Sequence, residues 1–120
     1  MVWNVEYTNE FGEWYRGLSE PQQDDITAAT LLLMELGPQL PFPHSSGINR
    51  SRHAHMRELR VQSGGRPLRA FYAFDPRRSA ILLIGGDKTG DNRFYERMVR
   101  VADDLYDTYI EEIRKEGLIP

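Results

Sequence analysis

Cysteine is absent from the 120 residues, which excludes disulfides and thiol catalysis and fits a reducing compartment such as the cytoplasm. Long apolar runs are missing too; none approaches the roughly 20 residues that a membrane-spanning helix needs. The opening MVWNVEYTNE has no basic stretch leading into an apolar one, so no secretory signal is expected. No internal repeat or low-complexity tract breaks the chain. Its length suits one domain over residues 1–120, large enough to bury a core without staples.

Basic residues are scarce at both ends. Residues 1–43 hold one arginine against seven acids, and residues 101–120 hold two bases against six. Between them, residues 44–100 hold twelve Lys and Arg against five acids, a local +7 inside a chain whose net charge is −3. Such a footprint suits an anionic partner. The plainer alternative is that the acidic ends fold over the basic middle and neutralise it.

What is present reads as alternating and helical periods in turn. VWNVEY (2–7) alternates like a half-buried strand. Phe11, Trp14, Tyr15 and Leu18 then share one helical face, with Thr8 or Asn9 as N-cap. Ser19 and Gln22 form a capping box for a second helix, whose stripe is Ile26, Ala29, Leu33 and Leu36 and which Gly37-Pro38 ends. Residues 38–55 contain three prolines and Ser-Ser-Gly and read as a long connecting loop. MRELRVQ and RPLRAFYAF follow as a hairpin closed by Ser-Gly-Gly, and AILLIGG as a strand buried on both faces. A final helix carries Phe94, Met98, Val101, Leu105, Tyr109 and Ile113, with Asp91 or Asn92 as its cap. The order β-α-α-β-β-β-α is an α+β layout: a mostly antiparallel sheet, a helical hairpin on one face, and a long last helix that at most partly covers the other.

Strand alternation places Glu58, Arg60 and Gln62 on one face of the hairpin, together with Arg69 and Phe71. Arg60 beside Arg69 is a repulsive pair unless an anion sits between them, and a phosphate would serve. GGDKTGDNRFYERM adds Lys88 in a turn, then Arg93 and Tyr95 near a helix N-terminus that also favours anions. It is not a P-loop, because no Ser or Thr follows the lysine and the glycine spacing is wrong. Arg52 and Arg57, with Arg50, either line an RNA groove or only flank a loop. His53 and His55 make a weak metal motif, lacking a third nearby ligand. Arg77 and Arg78 are expected to be solvated, and Asp87 to cap its turn or pair with Lys88.

Taken together, SRHAHMRELR, GGRPLRAFYAFDPRR and above all LLIGGDKTGDNRFYERM resemble the RelE/ParE toxin superfamily, specifically its HigB-like branch found in phage and bacterial toxin–antitoxin modules. The resemblance covers nearly the whole chain. It implies a RelE-like fold and a ribosome-dependent messenger-RNA endoribonuclease needing no metal or other cofactor, in which a 2′-hydroxyl attacks the adjacent phosphate. Arg69 then binds the scissile phosphate, Lys88, Arg93 and Tyr95 serve the reaction, and Arg60 is a further phosphate contact by position; Arg57 and Arg52 are added as phosphate contacts from the basic stretch itself. Where RelE-type enzymes carry lysines on the second strand, this chain has Met56 and Glu58. That departure leaves His53, His55, Glu58, Lys88 and Tyr95 as candidates for proton transfer, and His53 is favoured by its near-neutral pKa. The implied partners are a cognate antitoxin with a helix-turn-helix domain, operator DNA through that antitoxin, and the ribosome with its message; no membrane is involved. The alternative is a non-enzymatic inhibitor of the same fold, such as a ParE-type gyrase poison.

Overall fold

The structure, a computed structural model, describes residues 2–120. Strand β1 (Val5–Tyr7) leads into helix α1 (Asn9–Arg16) and helix α2 (Glu20–Leu36), followed by a 3-10 turn at Gly37–Gln39. Strands β2 (Ser45–Gly47), β3 (Arg57–Ser63), β4 (Arg66–Phe74) and β5 (Ala80–Asp87) precede helix α3 (Phe94–Lys115). The sheet has five strands in the order β1-β5-β4-β3-β2, with β1 parallel to β5 and every other pairing antiparallel. No helix is long and apolar enough to cross a membrane among the described residues.

Local chemistry sets most of these boundaries. The Thr8 side chain accepts the Phe11 N–H at 3.0 Å and donates to the Leu83 carbonyl at 2.7 Å, so one hydroxyl caps α1 and ties it to β5. Ser19 and Gln22 form the expected capping box. Gly37 ends α2 at φ +54°, and a Cβ there would lie 2.5 Å from the Trp3 indole, so only glycine fits. In the β3–β4 hairpin, Ser63 faces Arg66 across a two-residue loop whose Gly64 and Gly65 have φ of +57° and +81°. Two positive φ values in succession define the turn whose twist matches the strands it joins.

The structure departs from the sequence reading in several places. The connecting loop contains β2, too short for periodicity to reveal. Helix α3 begins at Phe94 behind Arg93, with no side-chain cap; Asp91 instead accepts the Arg93 N–H at 3.0 Å in the turn before it. Leu36 at the end of α2 and Val101 on α3, both expected in buried stripes, are exposed.

Both faces of the sheet are buried, by different helices. Leu59, Val61, Leu68, Ala70, Tyr72, Ala80 and Leu82 face the α1–α2 hairpin, meeting Phe11, Ile26 and Leu33. Phe71, Ala73, Ile81 and Leu83 face α3 through Phe94, Met98, Val99, Ala102 and Tyr106. A register shift between Phe71 and Tyr72 against β5 lets Leu83 and Ile84 both pack on the α3 side. Because α3 crosses β4 and β5, the outer half of this face, on β3 and β2, is less covered.

The β4–β5 turn is held by a buried carboxylate. Asp75 accepts the backbone N–H groups of Arg77 and Ser79 at 2.8 and 3.1 Å, the Tyr109 hydroxyl at 2.8 Å and the Arg77 guanidinium at 2.9 Å. Arg77 also reaches Glu6 at 2.8 Å, so it is a structural residue tying β1, the turn and α3 together, not the solvated one expected. Burial pushes the Asp75 carboxyl up, but the hydrogen bonds from Tyr109, Ser79 and Arg77 outweigh it and hold it below its ordinary value of 3.8. A carboxyl depressed in the folded state contributes stability above its unfolded pKa and loses it as pH falls through the folded one. Asp75→Asn is therefore expected to lower unfolding free energy at pH 7 by about 2–3 kcal/mol. Urea titrations should also show a flatter loss of stability below about pH 4 for the variant than for the parent.

Candidate functional site

The β3–β4 ladder places Arg60 directly opposite Arg69, a register the sequence could not fix. Glu58 lies two residues before Arg60 on the same face, and its carboxylate is buried among the cations. Arg69 Nε stands 3.5 Å from Glu58 Oε1, and Arg60 Nη1 stands 3.8 Å from Glu58 Oε2. The Tyr95 hydroxyl donates to Glu58 Oε1 at 2.7 Å and accepts from Arg69 Nε at 3.3 Å. Arg69, only 4% exposed, also donates to the Leu68 carbonyl at 3.0 Å. Lys88 Nζ lies 5.9 Å from the centroid of the Tyr95 ring. The two arginines therefore do not face one another unpaired: the chain supplies part of the counter-charge. Three cations against one carboxylate still leave the cluster positive.

Glycine makes this convergence possible. Gly86 pairs with Arg69 across β4 and β5, and a Cβ on it would meet the Phe94 ring at 2.8 Å. With no side chain there, Phe94 settles onto the strand and the first turn of α3 brings Tyr95 within reach of Arg69. Phe71 and Phe94 pack edge-on against the Tyr95 ring, at 6.1 and 5.3 Å between centroids, and fix its orientation. Burial raises the Tyr95 phenol above its ordinary 10.0, and the bond to Glu58 adds to this, against the opposing pull of Arg69. Tyr95 is thus a proton-bearing donor at neutral pH.

The cluster separates two hollows. One, of about 350 Å³, is lined by Gly47, Ile48, Arg50, Glu58, Asn92 and Tyr95 among others. The other, of about 260 Å³, is lined by Pro43, His44, Arg60, Gln62 and Arg69. Lys88 makes no ion pair among the described residues; Asp87 instead pairs with Arg66 at 3.0 Å and accepts the Thr89 N–H at 2.9 Å. Arg93 is exposed at the start of α3, at the same end of the fold but outside the cleft wall.

Three other expected site residues lie elsewhere. Arg57 points to the opposite face of the sheet, where its Nε donates to Ser45 Oγ at 2.9 Å. Arg52 is bound to Asp104 and Asp107 on α3 at 2.8 and 2.7 Å. His53 shares a 2.8 Å contact with Asp107 and packs edge-on against Tyr106. Asp107 is twelve residues beyond Tyr95 on α3, about 18 Å along the helix at 1.5 Å per residue. The structure thus joins Arg60, Arg69, Lys88, Tyr95 and Glu58, and sets Arg52, Arg57 and His53 apart from them. His55 stacks on His53 at 6.0 Å, and burial together with that neighbour lowers its pKa. No group of three or more metal-ligating side chains occurs among the described residues. Sequence reasoning did not single out Phe42, hidden in a proline-rich loop that gave no periodic signal.

The fold is that of the RelE toxins. A mutant of Escherichia coli toxin RelE in the free state superimposes with a TM-score of 0.60 over 83% of this chain and 98% of that one, at 11% identity. A chain of the archaeal RelE–RelB complex from Pyrococcus horikoshii gives 0.55 over 75% of this chain and 99% of that one, at 12% identity. Residues 13–107 match the family described as "Phage derived protein Gp49-like". Two Mycobacterium tuberculosis relatives bear the names "Putative toxin HigB2" and "Putative toxin HigB3". The first is 36% identical over 82% of this chain and the second 37% over 81%. This chain spans about 50% of the length of the first and 84% of the second. The chain belongs to the HigB-type, Gp49-like family.

Because the hydrogen bond to the Glu58 carboxylate helps to raise the Tyr95 ionisation, Glu58→Gln is expected to lower it. Ultraviolet titration of the parent and of Glu58→Gln, each compared with its Tyr95→Phe counterpart, isolates that phenol from the other tyrosines. An unchanged Tyr95 titration would mean that the hydrogen bond does not persist in solution.

Proposed function

We propose that the protein is the toxin of a type II toxin–antitoxin module and cleaves messenger RNA on the ribosome. The observation that carries this reading is the in-register Arg60–Arg69 pair, which lines an open hollow and has Tyr95 bonded to Arg69 and Lys88 over the Tyr95 ring, a cluster with excess positive charge. Guanidinium pairs suit the non-bridging oxygens of a phosphodiester and the charge that builds on them in a phosphorane. The names of the HigB relatives agree with it.

In the proposed reaction the phosphate enters between Arg60 and Arg69 and competes with Glu58 for them. Released from the two guanidiniums, the Glu58 carboxylate is free to act as the base. It takes the proton of the 2′-hydroxyl as that oxygen bonds to phosphorus. The bond from phosphorus to the 5′-oxygen breaks, and the Lys88 ammonium supplies the proton to the departing oxygen. The products are a 2′,3′-cyclic phosphate and a 5′-hydroxyl. Tyr95, protonated throughout, orients Glu58 before the phosphate arrives and donates to the phosphate afterwards. Arg93 and Arg50 add positive charge along the RNA path. His53 has no part in this scheme. The silencing partner is a cognate antitoxin, by analogy with the RelE–RelB pair, and operator DNA is met through it.

Expression in bacteria should arrest growth, with primer extension showing new transcript 5′ ends spaced by codons. Arg60→Ala and Tyr95→Phe should each slow cleavage by roughly 10²–10³-fold and relieve the arrest, with the far-ultraviolet dichroism unchanged. Arrest with intact transcripts, cleaved plasmid DNA and filamentous cells would instead identify a gyrase inhibitor.

A further inference from the structure

Of the two hollows beside the charged cluster, the one bounded by the edge of the sheet has contents the proposed chemistry does not use. The Arg60 N–H donates to the His44 carbonyl at 2.9 Å, which extends the β2–β3 ladder by a step. His44, Arg60, Arg69 and Gly86 thereby form one row across four strands, each step roughly 4.8 Å. Gln62 lies on the same face of β3 as Arg60. Neither the His44 ring nor the Gln62 amide has a hydrogen-bond partner among the described residues.

Phe42 neighbours this hollow through Arg60, one of the residues that line it. It is 68% exposed, and the Arg60 guanidinium carbon lies 5.1 Å from its ring centroid. A lone exposed phenylalanine needs no explanation, but this one is rigidly presented. Leu40 on one side is 3% exposed in the core. Ser45 on the other is fully buried and bonded to the Tyr72 hydroxyl at 2.6 Å. Between them, the His44 and Ser45 N–H groups both donate to the Pro41 carbonyl, at 3.0 and 3.1 Å. The chain thus anchors two apolar or buried side chains and holds the aromatic ring between them in water, next to a guanidinium that also faces the phosphate position. At about 260 Å³ the hollow is small for a ligand cavity and suits a single planar group.

We infer that Phe42, His44, Arg60 and Gln62 form a second nucleotide subsite, which takes the base adjacent to the scissile phosphate of a single-stranded RNA. The base stacks on the Phe42–Arg60 pair, as single-stranded bases do on aromatic rings and guanidinium planes. The Gln62 amide, which carries both donor and acceptor, meets the base edge, and His44 lies beside the next phosphate. This assignment rests on the RNA-cleaving reading and extends it from the phosphate to its neighbour.

The test is a double-mutant cycle on ribosomes programmed with a short defined message, measuring single-turnover cleavage by the full-length protein. One arm replaces Phe42 with Ala; the other replaces, in turn, each nucleotide flanking the cleaved bond with an abasic one. Phe42→Ala is expected to slow cleavage about tenfold. On one side of the bond only, the abasic message should cost the parent a similar factor and cost Phe42→Ala nothing further. Phe42→Trp should restore the rate, and Gln62→Ala should flatten the preference among bases at that same position. Parent-like cleavage by Phe42→Ala, or multiplicative losses with both abasic messages, overturns the subsite and leaves the cleavage reading standing. A loss of antitoxin binding in Phe42→Ala with cleavage unchanged also overturns it and makes the loop a protein contact. A parent that cleaves no programmed message removes the underlying reading, and the subsite with it.

Discussion

Two guanidiniums set opposite each other on neighbouring antiparallel strands repel, and one of them, Arg69, is almost wholly removed from water. A buried cation without a partner is among the costliest things a fold can contain. Glu58 relieves this, standing between Arg69 and Arg60 while accepting a hydrogen bond from Tyr95. One carboxylate therefore lets the sheet hold its charged row and joins that row to α3. Such an arrangement is a poor source of net stability, because desolvation of the ions offsets most of their attraction. Under the proposed function, its presence in the sheet is explained by what it holds ready: two guanidiniums kept in place by a counter-charge that an incoming phosphate can replace.

The apolar architecture puts that row at an edge of the covered area. The sheet is sandwiched between α1–α2 and α3, and β5, apolar on both faces, is its centre of burial. Helix α3 starts over Gly86 and runs towards the β4–β5 turn, where Tyr106 donates to the Phe74 carbonyl at 2.9 Å. Its N-terminal turn alone borders the charged row, and β3 and β2 carry the row out from under it. The core thus decides where the site is open, through the direction in which one helix crosses two strands.

Local features were legible in the sequence and long-range pairings were not. The capping box at Ser19, the Gly64-Gly65 turn and the two-sided burial of β5 each depend on residues close together in the chain, and each is found as read. Alternation also put Glu58, Arg60 and Arg69 on one face before any register was known. What escaped was how the surface charges pair. Arg77 looks like a turn residue until Glu6 and Tyr109, from opposite ends of the chain, arrive beside it. Arg52 and His53 sit in a basic stretch, yet the acids that claim them lie more than fifty residues later on α3. Ion pairing between distant segments leaves no periodicity and no local motif. A basic residue that will be neutralised therefore looks the same in sequence as one that stays free for a ligand.

The same pairings reconcile a net charge of −3 with the anionic ligand of the proposed function. The acidic ends do fold back on the basic middle, but they do so selectively. Asp103, Asp104 and Asp107 take Arg52, and Glu6 with Asp75 takes Arg77, all towards the far end of α3 from Tyr95. Near the start of α3, Lys88 keeps no carboxylate partner among the described residues, and the Arg60–Arg69 pair shares only Glu58. Screening in physiological salt acts over about 8 Å. An anion approaching this end of the molecule therefore responds to the local excess of positive charge and hardly at all to the distant acids. The total charge is a poor guide to what this surface attracts, because most of the cancellation happens where the ligand would not be.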